Sequence, residues 1–566
     1  MGDRVYILAQ LGDPWIYDPV IYQLEEGGYS IKAESTLGTS VLVGLACKQD
    51  KDPLVLAMVQ ESLLAPSPRC GRCYELLTFN KFKNNKGNLK IYSDLVQHML
   101  KCIYHRLRDT LREGSSSPNS SCSVRLIVEN GPSAGIYKVA NTGYKAKWML
   151  DENLGIDMYS HYYTISLLKI LSVILKDLHG RAPEKLEIWI DTTYGQNYVG
   201  IAFLRATIQA SRILSALLNV RVVLRQYNSE PYIKGATREL RIYKVREETI
   251  SPKQAASNLI YTLIQVDPSN IDIEWNQAIA MITSPNQRIL HLPYQINHHL
   301  PYLALNAAAG IFFGAPLLLL QTGRWILEAF QTSQGYDHIH GFLDLVENIL
   351  SHVDSIRANT GNNRKPIPID IEPQSNIIRL TYKIAPLKRN LTSLLAGVAL
   401  ARYAINAYID IYNDKHKLPS SALANYNTIC ASLDELEKIK NKYIAGPVWR
   451  LVENELHNLR DAITGKKTRQ DLYKRIYKLV NSNCLSSNCP CLPPGSPSNL
   501  PQKSSDNLVR IFQAHAGFPD KITGVCKLRQ INKQKDEICF YYPCLINNIL
   551  KEISTRLLEE LYNALI

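Results

Sequence analysis

Residues 185–209 read KLEIWIDTTYGQNYVGIAFLRATIQ, and the change of period inside this stretch decides the fold. Lys185–Asp191 is a short apolar run of strand length, rich in isoleucine and carrying Trp189. It stops in a polar turn holding Thr192, Thr193, Gly195, Gln196 and Asn197, and a helical pattern follows at once. A strand that passes through a tight polar turn into a helix is the first half of a βαβ unit. Amides at such a helix N-terminus, helped by hydroxyl and side-chain amide groups, suit a phosphate or the edge of a nucleobase. A Thr/Asn helix cap would explain the same residues, and at this level the two readings stand equal.

Outward from this turn the same alternation repeats. Residues 4–11 (RVYILAQL), 40–46 (SVLVGLA), 53–59 (PLVLAMV), 124–130 (VRLIVEN) and 220–227 (VRVVLRQY) read as further strands. Amphipathic segments at 93–113 and 162–180 read as helices between them. Strands rich in Val, Ile and Leu, separated by helices, predict a mostly parallel, Rossmann-like sheet covered on both faces. Its ligands would sit in the loops at the carboxyl ends of the strands. Beyond Pro252 the strand signals thin and helices dominate. The expected organisation is therefore α/β followed by α: a sheet domain over 1–245, a helical middle region over 246–375, and an all-helical domain over 376–566. A Pro-, Ser- and Asn-rich loop at 481–506, expected to be mobile, interrupts the last.

The 566 residues are too many for one ordinary core, and 46% hydrophobic with 20% charged residues excludes a disordered chain. Lys plus Arg exceed Asp plus Glu by 64 − 51 = 13, a balance that suits a polyanionic partner such as RNA. The N-terminus has no basic leader, so a cytoplasmic protein is expected. Leu300–Gln321 is uncharged and long enough to span a bilayer. Asn306, Gly310, Gly314 and Pro316 interrupt it, which favours a buried helical pair over a membrane span. Of the 12 cysteines, Cys70 and Cys73 form a C-x-x-C without a second pair at zinc-finger spacing, and Cys484, Cys489 and Cys491 crowd the 481–506 loop. Structural zinc or a local disulfide is open for these, with inert thiols the favoured reading.

A second candidate loop follows the first strand, where Gly12 and Asp13 precede Pro14 and Trp15. The glycine permits close backbone approach to a ligand. No G-x-G-x-x-G and no G-K-[ST] is present, which disfavours ordinary dinucleotide and nucleoside triphosphate sites. Near the other end, NLVRIFQAHAGFPD (507–520) is a short helix that closes on Gly517. It carries Arg510 and, in its last turn, His515, about 140° apart around the axis. They could act together if the arginine curls round or if a second copy of the helix completes the site.

Five pieces in order resemble the CARF-HEPN ribonucleases of type III CRISPR systems: GDP after the first strand, ENGPSAGIY (129–137), DTTYGQN after a later strand, YNSEPY (227–232) and RIFQAHAGF. The resemblance reaches both ends of the chain but not the middle region or the cysteine-bearing loop. It implies a sensor for a cyclic oligoadenylate, most often the tetra-adenylate, bound across a two-fold dimer axis. By analogy Gly12, Asp13, Thr192, Thr193, Gly195, Gln196 and Asn197 line the pocket, with Gly131 and Ser133 in the nearby 131–135 loop. It further implies a metal-independent endoribonuclease in which Arg510 and His515 of two subunits meet. The 2′-hydroxyl of single-stranded RNA would be the nucleophile, and the products would be 2′,3′-cyclic phosphate and 5′-hydroxyl ends. Ile511 departs from the polar residue usual after the arginine, which puts substrate positioning in question.

Three further features carry weaker implications. Arg450 and His457 fit the loosest form of the signature, but Glu453 and Glu455 crowd them and a solvated helix face is expected. The basic run 465–478, with Tyr473 and Tyr477 interleaved, reads as an RNA-guiding patch or a solvated helix. A non-catalytic sensor of the same type is the alternative function, and a membrane-tethered effector using Leu300–Gln321 a third.

Overall fold

The computed structural model describes residues 4–12, 14, 18–64, 89–114, 122–133, 135–138, 145–150, 152, 157–178, 183–193, 197–232, 237–282, 294–331, 369–374, 377–382, 388–412, 431–444, 449–463, 524–528, 537–541 and 547–565. Outside them lie Asp13, Gly195, Gln196, Arg510 and His515, the 465–478 run, the 481–506 loop, and Cys70, Cys73, Cys484, Cys489 and Cys491.

The N-terminal unit is built on β1 (Arg4–Leu11), β2 (Val20–Glu26), β3 (Tyr29–Ser35), α1 (Thr39–Lys48), β4 (Asp52–Gln60), α2 (Leu89–Gly114) and β5 (Arg125–Gly131). It continues through β6 (Gly135–Lys138), β7 (Lys145–Leu150), α3 (Met158–Leu178), β8 (Lys185–Asp191), α4 (Asn197–Leu218), β9 (Arg221–Ser229) and β10 (Glu239–Ile250). Eight strands form one sheet in the order β3-β2-β10-β9-β8-β1-β4-β5. From β9 to β5 every neighbour is parallel. Alternate residues of β1 face opposite layers. Tyr6 and Leu8 join the core under α3 and α4, while Val5 and Ile7 join the one under α1. Both faces are covered, which is why the strands read as continuous apolar runs.

The stretch 40–46, expected as a strand, lies instead within α1. Every residue from Thr39 to Cys47 is buried, so neither a helical nor a strand period shows in the sequence. The β2–β3 hairpin and β10 were not anticipated. Gly27 and Gly28 turn the hairpin with φ of +59° and +82°, conformations that glycine adopts without a Cβ clash. Highly charged β10 runs antiparallel to β9 and parallel to β2, making the sheet mixed at that edge.

The second half contains α5 (Pro252–Leu263), α6 (Ile271–Ile282), α7 (Tyr294–Phe312), α8 (Pro316–Gln331), β11 (Ile369–Gln374), β12 (Ile377–Tyr382) and α9 (Lys388–Tyr412). Then come β13 (Ala431–Ser432), α10 (Leu433–Tyr443), α11 (Trp449–Ile463), β14 (Gly524–Leu528), β15 (Glu537–Tyr541) and α12 (Asn547–Leu565). Ser251 opens α5 and Ser432 opens α10, each in a reciprocal capping box with the residue three positions on. The uncharged 300–321 stretch is the end of α7, a turn at Gly314 (φ +69°) and the start of α8. Its apolar side chains lie in the core: Leu305, Ile311, Leu317 and Leu319 are buried. The helices Tyr198–Leu218 and Arg389–Ile411 are long and apolar enough to cross a membrane, but both are mostly buried here.

The second half is not purely helical. Strands β6, β7, β12 and β11 form a second sheet in the order β11-β12-β7-β6, and β13, β15 and β14 form a third. The boundary expected at 375 falls between β11 and β12, which pair with each other (Gln374↔Ile377), and β12 in turn pairs in parallel with β7. One core cluster runs from Tyr6 in β1 to Leu558 in α12, so the sheet unit and the helices share an interior. At the centre α9 packs against α3 and α4 on one side and α5, α7 and α8 on the other.

Candidate functional site

The parallel registers bring the ends of four strands to one edge of the sheet. Leu11 of β1 sits opposite Val59 of β4, Gln60 opposite Gly131 of β5, and Ala9 opposite Asp191 of β8. From β1 the chain adds β4 and β5 on one side and β8 and β9 on the other. The order therefore switches between β1 and β8, where an α/β sheet opens its binding crevice. Gly12 follows β1 and Thr192 follows β8, so the two loops singled out in the sequence flank that switch point.

The 192–193 turn is fixed from both sides. Thr192 donates from its amide (3.0 Å) and its hydroxyl (2.9 Å) to the carbonyl of Tyr227 at the end of β9. The Asp191 carboxylate accepts from the Thr193 amide (3.0 Å) and from the Thr39 hydroxyl at the start of α1 (2.6 Å). Burial pushes the Asp191 carboxyl up, against the opposing pull of its hydrogen bonds from Thr193 and Thr39. Asn197 opens α4 four positions after Thr193, so the positive end of that helix lies in the stretch that follows the carboxyl end of β8.

On the β5 side, Gly131 and Ser133 are buried. A Cβ on Gly131 would meet the Tyr162 ring at 2.6 Å, so only glycine lets the loop lie this close to α3. Ser133 is doubly tied: its hydroxyl accepts from the Ser62 amide (2.8 Å) and its own amide donates to the Tyr382 hydroxyl (3.1 Å). Asp157 caps α3 by accepting from the Ser160 amide (2.6 Å). Its first turns then place His161 and Tyr162 beside the loop, with the His161 ring 5.2 Å from that of Tyr382. Burial pulls the His161 imidazole down to about 4, and its Nδ1 has no hydrogen-bond partner among the described residues. Burial raises the Tyr162 hydroxyl. Deeper in, the buried ammonium of Lys169 reaches the Glu129 carboxylate and the Asn130 side-chain oxygen (3.4 Å).

Gathered at this edge are backbone amides and a Lys169 ammonium already paired within the fold, two helix N-termini, and buried glutamine and tyrosine side chains. Such donors suit a phosphate-bearing ligand with polar heterocycles. Among the described residues no group of three His, Cys, Asp or Glu is placed to hold a metal ion. The sequence-level candidates Gly12, Thr192, Thr193, Gly131 and Ser133 come together at this one edge, and Asn197 begins the helix behind it. Asp191, Gln10, Gln60, His161, Tyr162 and Lys169 were missed. A usable signal existed for two of them, because Gln10 and Gln60 are polar residues near the ends of otherwise apolar strands. Both are buried, and Gln60 Nε2 has no partner among the described residues.

The Arg450/His457 pair lies on α11, where His457 is exposed and pairs with Asp461 at 3.5 Å, the solvated face expected. The cysteines read as inert thiols lie outside the described residues; among the described ones, Cys47 of α1 is bonded to Cys122 ahead of β5, across 75 residues of sequence.

No curated protein matches the chain. Residues 6–231 match the family model described as "CRISPR system endoribonuclease Csx1, CARF domain". That span runs from β1 to just beyond β9 and takes in every strand end that forms the crevice. Over those residues the N-terminal unit of this chain is similar to the CARF domain of the Csx1 endoribonucleases of CRISPR systems.

Proposed function

We propose that the chain is a cyclic-oligoadenylate-activated, metal-independent endoribonuclease of type III CRISPR antiviral defence, working in the cytoplasm as a homodimer. The observation that carries the sensor half is the convergence of Gly12, Gln60, Gly131 and Thr192–Thr193 at the switch point of a Csx1-type CARF sheet. Cyclic tetra-adenylate is the expected activator. Its ring repeats phosphate and adenine with two-fold symmetry, and a pair of such crevices can present matched donors to both halves.

For the nuclease half the support is the sequence itself: the Arg510–His515 spacing, the AHAGF turn and the excess of basic residues. In this reading His515 handles the proton of the attacking 2′-hydroxyl or of the departing oxygen, and Arg510 stabilises charge on the phosphate. Each role is worth roughly 10²- to 10⁴-fold in rate. Single-stranded RNA is then cut to 2′,3′-cyclic phosphate and 5′-hydroxyl ends. Incubating labelled RNA with the purified chain, with and without cyclic tetra-adenylate and in the presence of a chelator, tests the proposal. Ligand-dependent cleavage that survives chelation supports it. Ile511 after the arginine favours one alternative, a non-catalytic sensor that regulates a partner. Tight oligoadenylate binding with no cleavage at any ligand concentration would select that alternative.

A further inference from the structure

The small sheet β11-β12-β7-β6 belongs to neither the sensor crevice nor the helical half, yet it touches both. The β5 strand end leads through Ser133 directly into β6, and β6 pairs with β7. β7 pairs with β12 in register up to Leu150↔Tyr382. Tyr382, the last residue of β12, returns to the starting point by accepting the Ser133 amide hydrogen. Six residues after Tyr382 the chain begins α9. There Asn390 donates to the Glu274 carboxylate (2.6 Å), while the Ser393 hydroxyl accepts from the Trp275 indole (3.0 Å) and donates to the Leu263 carbonyl (2.7 Å). A closed circuit thus links the crevice loop to the central helix of the second half, and it meets Ser133 of that loop at the Tyr382 hydroxyl.

We propose that this contact is a latch: ligand in the crevice takes the Ser133 amide from Tyr382, and the release of β12 relays occupancy to α9. This rests on the sensor reading above and adds how that sensor is coupled. The chemistry gives the exchange a direction. The Ser133 amide is held by a neutral phenol, whereas a phosphate oxygen is a charged acceptor whose hydrogen bonds are about twice as strong. Ser133 is fully buried, so a ligand reaches its amide only once Tyr382 has moved aside. Tyr382 acts as a positioning residue and takes no part in chemistry.

Linkage then makes an unusual demand on Tyr382→Phe. Removing the hydroxyl weakens the latched state alone, so cyclic tetra-adenylate should bind roughly two- to ten-fold more tightly, the equivalent of one ordinary hydrogen bond. A residue that contacts ligand, or merely supports the fold, would weaken binding or leave it unchanged. The experiment is titration of the full chain and its Tyr382→Phe variant with cyclic tetra-adenylate, alongside amide hydrogen exchange over 377–400. In the unsubstituted chain ligand should speed exchange there; in the variant exchange should be fast already. Unchanged or weaker binding by a folded variant overturns the latch. So does binding by the unsubstituted chain with no exchange response over 377–400, a measurement that decides the matter even if the variant fails to fold. Absence of any cyclic oligoadenylate binding overturns the sensor reading itself, and the latch with it.

Discussion

His161 should make the sensor unit acid-labile well above the range in which carboxylates titrate. An imidazole normally titrates near 6.5, and burial beside Tyr382 pulls that of His161 down to about 4. Between these values the unfolded chain holds a proton that the folded chain does not, so acidification favours unfolding. The stability is fully present above the unfolded value and is lost as pH falls toward the folded one. At about pH 5 the two occupancies differ enough to cost about 2 kcal/mol, rising to about 3 kcal/mol below pH 4. Of the other shifted acids, Asp191 is raised by burial and takes up a proton more readily folded than unfolded, which opposes the His161 trend and is common to both chains compared, while Glu187 sits outside this window. Burial alone would raise Glu187, but hydrogen bonds from Lys185 and Lys51 outweigh it and hold the carboxyl at about 2. Its contribution is therefore lost only below its ordinary 4.5. The assay is urea unfolding followed by the fluorescence of the buried Trp148 and Trp189, from about pH 7.5 down to about pH 5, for the unsubstituted chain and for His161→Gln. The unsubstituted chain should lose about 2 kcal/mol across that range, and the glutamine variant should lose most of that dependence. Parallel profiles, or an imidazole resonance that titrates near its ordinary value in the folded chain, would refute the reasoning.

Substituting His515 by alanine should abolish RNA cleavage while the affinity for cyclic tetra-adenylate stays near its original value, checked by paired cleavage and titration assays. Asp191→Ala leaves the Thr39 hydroxyl and the Thr193 amide without their acceptor; a loss of about 1–3 kcal/mol and weaker oligoadenylate binding should appear by melting and titration. A thiol reductant should lower the urea midpoint of the sensor unit, because the Cys47–Cys122 bond closes a 75-residue loop, worth about 4 kcal/mol in the chain-entropy model; a Cys47→Ser/Cys122→Ser variant should show a smaller response to the reductant. In Gly323→Ala the new Cβ would stand 2.1 Å from the Ala404 carbonyl oxygen, so α8 and α9 must separate. A drop of about 1–3 kcal/mol in the unfolding of the helical half would register it.

The alternation of apolar runs with helical patterns carried the parallel part of the sheet because burial on both faces makes such strands continuous and short. The same burial hid α1. With Val41, Leu42, Val43 and Leu45 all interior, its sequence has no polar face to reveal a period. Strands β10 and β12 were illegible for the opposite reason. Their place in a sheet is set by partners far along the chain, Val20–Glu26 and Arg221–Ser229 for one and Lys145–Leu150 for the other. At the crevice, glycine and the hydroxyl-bearing turn announced themselves as loop chemistry. His161, Lys169 and Tyr382 did not, because nothing local separates a buried functional polar residue on a helix or strand from a solvated one.

Among the described residues, three of the routes that join the sensor sheet to the helical half differ in kind in their energetics. One is the covalent passage from β10 into α5. The second is the packing of α9 on α3 and α4, part of a continuous apolar core. Shifting such an interface opens cavities or forces overlap at several kcal/mol. The third route is the β12 edge, held by its parallel pairing with β7 and by the Tyr382–Ser133 hydrogen bond, whose own net worth is about 1 kcal/mol. A bound ligand moves an equilibrium only by its differential affinity for the two states, a few kcal/mol at most in typical coupling. Of these contacts the Tyr382–Ser133 hydrogen bond is one that can be exchanged within that range while the β7–β12 ladder and the shared core stay intact. The first two keep the halves in register, so that the change at β12 is delivered to α9 rather than dissipated.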